Sequence, residues 1–252
     1  MLKIINNIIL FCLPITPKFI VRLFANKYIA GVNLKEAIKT IKKINHYNLK
    51  ATVDILGEHT KDINECKKIT QNYIELIKNI SSNKLNCNIS LKLTHIGFDI
   101  SQDIMNFNIN QIVENSVRYN NFIRLDMENH KTTDNNIKTF KKISKENNNI
   151  GIVFQAYLHR TYNDIKKLED GSNIRLCKGI YVEPKDIVIN EPEKINENFL
   201  KLLKLAFSKK IFVGIATHDE ILIEKCCQLI NEMEIDTKQF EFQALYGVPI
   251  KN

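Results

Sequence analysis

Three basic side chains, Lys92, Arg175 and Lys178, stand at the carboxyl ends of short runs rich in β-branched residues, and Asp126, Glu128, Gln155, Thr217 and His218 occupy comparable places on other runs. If these ends meet, they form a mouth with several cations, a few carboxylates and hydrogen-bonding groups. Such a mouth suits an anionic ligand, or a phosphate-bearing cofactor together with a small carboxylate substrate, because Lys and Arg give charge-assisted hydrogen bonds to both. Asp126, Glu128 and His218 alone could hold a divalent metal. The neighbouring cations oppose that reading, since they repel a divalent ion, and no metal site is expected.

Seven runs must position these residues: Ala51 to Glu58, Asn88 to Thr94, Phe122 to Glu128, Ile150 to Leu158, Ile174 to Tyr181, Ile211 to Asp219 and Phe240 to Gly247. Each is apolar on entry and polar at its carboxyl end, and helix-like segments separate them. That pattern predicts a parallel α/β barrel whose active site is assembled from strand ends. Asn33 to Glu36 opens an amphipathic helix through Ile44, and Thr60 to Ile63 opens another through Ile80. Asn147 to Asn149 and Asp170 to Ser172 read as turns. The connection from Val182 to Asn198, with Pro184 and Pro192, is the longest and follows the fifth run on the ligand side.

A chain of 252 residues, 44% hydrophobic and 25% charged, is enough for one core. A (β/α)8 barrel takes about 250 residues, yet fifty precede Ala51, so the expectation is a barrel that ends one βα unit short. The net charge of +8 comes mainly from scattered Lys, without the basic stripe and interleaved aromatics that nucleic-acid binding requires. Cys12, Cys66, Cys87, Cys177, Cys226 and Cys227 form no CxxC pair and no Cys/His zinc spacing, which predicts reduced thiols. The amino-terminal stretch Met1 to Ala25 is apolar but interrupted by Asn6, Asn7, Pro14, Pro17, Lys18 and Arg22, so a membrane span is not expected. Short amphipathic helices there could rest on a membrane surface or pack on the barrel, and barrel packing is the favoured expectation.

Taken together, the motifs DILGE (Asp54 to Glu58), SLKLT (Ser90 to Thr94), RLDME (Arg124 to Glu128), QAYL (Gln155 to Leu158), RLCKGIYVEP (Arg175 to Pro184), IATHDE (Ile215 to Glu220) and FEFQALYGV (Phe240 to Val248) resemble proline dehydrogenases of the stand-alone bacterial type. The resemblance runs in order from Tyr28 to Val248. It implies a distorted (β/α)8 barrel that carries FAD and oxidises L-proline to Δ1-pyrroline-5-carboxylate, with hydride passing from proline C5 to flavin N5 and electrons then to a quinone. The cofactor carries the redox chemistry while the protein fixes orientation and charge. A bacterial cytoplasm, with contact at the inner face of the membrane, is the expected compartment, and the mitochondrial matrix is the alternative for a eukaryotic source.

Carried over motif by motif, the resemblance makes Lys92 the partner of the proline carboxylate. Asp126 matches the catalytic aspartate, positioning Lys92 and balancing charge, and Met127 a flavin contact. Gln155 matches the amide at the isoalloxazine edge, and Arg175 the catalytic arginine near flavin N5. Lys178, Gly179 and Ile180 match a cofactor-binding turn; Thr217 and His218 match the ATH motif at the FAD phosphate and ribose. Against these stand blander readings: a solvated Lys92, a structural ion pair at Asp126, a satisfied polar layer at Gln155, and barrel filling at Tyr181. Asp54, Glu58, Glu241 and Tyr246 are lesser candidates, and His59, His95, His130 and His159 receive no role.

The resemblance also implies an eighth strand and a last helix bearing a tyrosine and paired arginines that clamp the proline carboxylate, and nothing after Val248 matches them. The expected organisation is a helical segment at residues 1–45 packing on a barrel at 46–252 that stops after its seventh strand. A catalytically inactive remnant or partial sequence of such an enzyme is the alternative expectation.

Overall fold

The computed structural model describes residues 28–248. Seven strands, β1 (Ala51–Asp54), β2 (Cys87–Leu91), β3 (Ile123–Leu125), β4 (Ile150–Gln155), β5 (Asn173–Cys177), β6 (Phe212–Ala216) and β7 (Phe240–Gln243), form one sheet in sequence order. Every neighbouring pair is parallel. The helices are α1 (Leu34–His46), α2 (Ile63–Ser82), α3 (Gln102–Arg118), α4 (Thr133–Ser144), α5 (Thr161–Lys166), α6 (Pro192–Ser208) and α7 (Glu220–Glu232). All seven expected runs are strands, but each leaves the ladder earlier than its motif does. Lys92, Asp126, Glu128, Lys178, Thr217 and His218 therefore lie in the loops beyond the strands, while Gln155 and Arg175 stay within β4 and β5.

Short polar side chains start the helices. Asn33, Asp62, Ser101 and Asp219 each accept a hydrogen bond from the backbone N–H three residues on, satisfying a donor that the first helical turn leaves open. Pro192 takes the first position of α6, where its missing N–H costs nothing. The connection expected to reach Asn198 thus ends at Glu191, because Asn196 and Asn198 are already helical.

The sheet curls. Arg175 on β5 reaches Ser90 on β2 at 3.3 Å, and Lys50, just before β1, lies 3.9 Å from Glu241 on β7. Alternation along the strands then divides the side chains. Leu91, Leu125, Ile152, Ile174, Leu176, Val213 and Ile215 are fully buried in the layer shared with the helices. The inward set is polar instead, with Ser90, Arg124, Arg175 and Glu241 among its members. Arg124 is almost completely buried: its Nη2 donates to Asn173 Oδ1 at 2.8 Å, and its guanidinium lies 5.1 Å from the Phe122 ring centroid. Burial and the nearby Arg175 pull its pKa down to about 9.

Within the described residues β1 and β7 are the two ends of the sheet order and do not pair with each other. Helix α1 buries Ile38 and Ile41; residues 1–27, which carry the amphipathic stretch, lie outside the described residues. No helix among the described residues is long and apolar enough to cross a membrane.

Helix α6 anchors itself through Phe199, which is fully buried in the core. Truncation to Phe199→Ala is expected to cost about 3–5 kcal/mol in urea unfolding of the full chain; a loss below about 1 kcal/mol would contradict this packing.

Candidate functional site

Two carboxylates divide the cations at the mouth. Asp126, just past β3, receives Arg175 Nη1 at 2.9 Å and the Ser90 hydroxyl at 2.6 Å. The opposite edge of the same guanidinium donates from Nε to Gln243 Oε1 at 2.6 Å. Lys92 turns elsewhere, placing its ammonium 3.2 Å from Asp54 Oδ2 while the Tyr73 hydroxyl donates to Asp54 Oδ1 at 2.9 Å. Lys92 was expected to be positioned by Asp126. Its direct partner is Asp54 instead, while Asp126, whose Oδ1 takes both Arg175 and Ser90, acts on Lys92 through space.

Electrostatics follow from this division. Burial pushes the Asp54 carboxyl up to about 6, with Lys92 opposing that rise and Asp126 adding to it. Burial alone would lower Lys92, yet Asp54 and Asp126 outweigh it and hold the ammonium above its ordinary value. Lys92 therefore keeps its proton at neutral pH and can face an anion.

Glu128 and Gln155 are buried rather than open to the mouth. Glu128 is fully buried, receiving both the backbone N–H and the hydroxyl of Thr94, and burial raises its pKa. Gln155 is buried and donates to the Glu128 carbonyl oxygen at 2.9 Å. One of its two amide N–H donors is thus committed to structure. The Met127 side chain is buried, with Sδ 3.8 Å from the Asn136 amide of α4, and faces away from the inward set.

A second group of residues gathers beyond β5 and β6. Lys178 forms an ion pair with Asp219, which also receives the Asn196 amide at 3.0 Å; the Lys178 ammonium holds the Asp219 carboxyl down at about 2. Gly179 has φ +114, and an added Cβ would lie 2.1 Å from the Tyr157 ring, so no other residue fits there without displacing the aromatic ring. Ile180 is exposed. Thr217 Oγ1 accepts from Asp219 N at 3.1 Å.

His218 Nε2 accepts the Leu245 backbone N–H at 2.9 Å, which leaves the proton of a neutral ring on Nδ1. That Nδ1 is buried and has no hydrogen-bond partner. A buried donor in such a position fits an acceptor from a bound molecule, and Lys178 nearby in the fold suits a phosphate. These groups match a phosphate-bearing cofactor. Among the described residues no group of three His, Cys, Asp or Glu side chains could hold a metal ion.

Other contacts pin the rim. Tyr181 donates to Glu58 at 3.2 Å, and His130 pairs with Glu183 across the loop after β5. Sequence reasoning missed Gln243, Ser90, Tyr73 and Asp219. Ser90 and Gln243 lie inside motifs that were recognised, and their two-residue spacing from Lys92 and Glu241 was the available signal.

The family model described as proline dehydrogenase matches residues 37–249. The chain is 33% identical over 228 residues to proline dehydrogenase 1 of Bacillus subtilis strain 168, covering 90% of this chain and 76% of that protein. It is 28% identical to the proline dehydrogenase of Deinococcus radiodurans, covering 89% and 74%. Among solved structures it resembles proline utilization A from Bdellovibrio bacteriovorus inactivated by N-propargylglycine, with TM-score 0.83 and 24% identity over 92% of this chain. Proline utilization A from Corynebacterium freiburgense gives TM-score 0.80 and 20% identity over 91% of this chain. The chain spans 29% and 27% of those two proteins, and these likenesses bear on fold alone.

The raised Asp54 gives a pH signature. Between about pH 4 and 6 the folded chain keeps this proton while the unfolded chain has lost it, so stability falls as pH rises through that window. Asp219 acts below the window, and Glu128 acts in the same direction as Asp54. Urea unfolding of Asp54→Asn is therefore expected to show a clearly shallower fall from pH 4 to 6.5 than the unsubstituted chain; an unchanged slope would contradict the buried Asp54.

Proposed function

The chain belongs to the proline dehydrogenase family, and on that footing we propose that it binds FAD and oxidises L-proline to Δ1-pyrroline-5-carboxylate, delivering the electrons to a quinone. Bound flavin would supply the redox chemistry, accepting a hydride from proline C5 as the C5–N bond becomes a double bond and the ring nitrogen gives up its proton. The observation that carries this reading is the pairing of an Arg175–Asp126 bridge with a separately held Lys92 ammonium at one mouth.

Each residue then has a task. Lys92 binds the proline carboxylate as a protonated ammonium, with Asp54 holding it in place. Arg175 presents a fixed cation where negative charge develops on the electron acceptor, and a preorganised charge needs no reorganisation at that moment. Asp126 anchors Arg175 and balances it. Gln155, held by one amide N–H on the Glu128 carbonyl oxygen, would present the rest of its side-chain amide to the isoalloxazine edge.

At the other end Lys178 and the backbone at Gly179 and Ile180 hold the phosphates, while Thr217 and the Nδ1–H of His218 serve the phosphate and ribose region. Met127, with its side chain buried, contributes through its backbone.

We assign residues 46–252 to the barrel and 1–45 to a preceding segment, a division supported in its described part by the burial of Ile38 and Ile41. The reading places the chain in the cytoplasm, meeting its lipid-soluble quinone at the inner face of the membrane, where the net charge of +8 favours anionic lipid.

Kinetics separate the two cations. Lys92→Met is expected to raise KM for proline about 10- to 100-fold with a smaller change in kcat, and Arg175→Met to lower kcat about 10²- to 10³-fold. Proline turnover with an artificial electron acceptor checks both, and a Lys92→Met enzyme with unaltered KM would overturn the assignment.

A further inference from the structure

Arg175 needs more than Asp126 to hold its direction. A guanidinium gripped at one edge can still swing about that bond, whereas one gripped at both edges is fixed in plane. The second grip is Gln243, which comes from β7, two strands away from Arg175 on β5.

That reach has a structural requirement. Arg175 pairs with Gly214 across β5 and β6, and Gln243 pairs with Ala216 across β6 and β7. To meet Arg175 the Gln243 side chain must lean back over the intervening Gly214. A Cβ at Gly214 would lie 2.6 Å from Gln243 Nε2 and 2.9 Å from its Cδ, and the nearest atoms it would meet all belong to Gln243. The absent side chain at Gly214 is the space that Gln243 fills.

The orientation of the amide is determined too. Gln243 Nε2 donates to Glu241 Oε1 at 2.6 Å while Oε1 accepts from Arg175. A carboxylate has no proton to give and a guanidinium no lone pair to accept with, so the opposite orientation would lose both bonds. Glu241 in turn faces Lys50 at 3.9 Å.

We propose that Gln243 is a positioning residue for Arg175, oriented by Glu241 and admitted by Gly214. The inference rests on the reading of Arg175 given above, and it concerns how that cation is aimed.

The test uses the full chain with Gln243→Ala, Gly214→Ala and the double variant. In 15N-arginine-labelled protein, with Arg175→Lys for assignment, the Arg175 Nε–H resonance should be downfield and slow to exchange, and each single variant should lose that signature. With FAD and L-proline, each should lower kcat about 10-fold or more while leaving KM less affected, since an ångström of misplacement costs up to about 100-fold. The double variant should be no slower than the slower single variant, because Gly214→Ala acts only by displacing Gln243.

An unchanged Arg175 resonance in Gln243→Ala, or penalties that multiply in the double variant, would overturn the proposal. Should Gly214→Ala fail to fold, the resonance and kcat of Gln243→Ala alone decide it. A protected Arg175 resonance that Gln243→Ala abolishes, in a chain that never oxidises proline, would overturn the proposed function and leave this inference standing.

Discussion

A cation inside a curled sheet is the constraint on which the rest depends. Arg175 points inward from β5, where a guanidinium left unpaired would be costly to bury. Its partners come from other strands: Ser90 on β2, Asp126 past β3 and Gln243 on β7. Those bonds form only if the sheet bends far enough to bring β2 and β7 toward β5. The same geometry that satisfies the charge assembles the mouth.

Once Asp126 is committed to Arg175, the remaining cation needs its own anion. Asp54 supplies it to Lys92, with Tyr73 bonded behind the carboxylate from α2. The two ion pairs therefore stand apart and can act on different parts of a bound pair of molecules, a carboxylate at Lys92 and a developing charge at Arg175. Deeper in the interior, the fully buried Arg124 adds positive charge below Arg175, and Glu241 opposes it. Beyond β5 and β6 the Lys178–Asp219 pair and the unpartnered Nδ1 of His218 form a separate rim suited to phosphate.

Much of this was legible in the residues. All seven strands were, because β-branched runs ending in polar tips alternate with helix-like segments, and the caps at Asn33 and Asp62 fell at or beside the expected helix starts. Strand ends were not, since a motif such as RLCKGIY continues past the last ladder hydrogen bond without any change in residue type. Partner choice was also hidden: Lys92 is equally near in sequence pattern to Asp54 and Asp126, and only the folded geometry, which puts its ammonium 3.2 Å from Asp54, decides between them. Gln243 escaped notice because a neutral amide on an edge-side strand carries no signal until Gly214 is seen to make room for it.

The most direct test of the account is anaerobic addition of L-proline to the full chain reconstituted with FAD, followed by the visible absorbance of the flavin. Loss of the oxidised flavin band on proline addition, with pyrroline-5-carboxylate recovered in equal amount, is the result the account predicts. A flavin that binds yet keeps its oxidised spectrum in excess proline would contradict it.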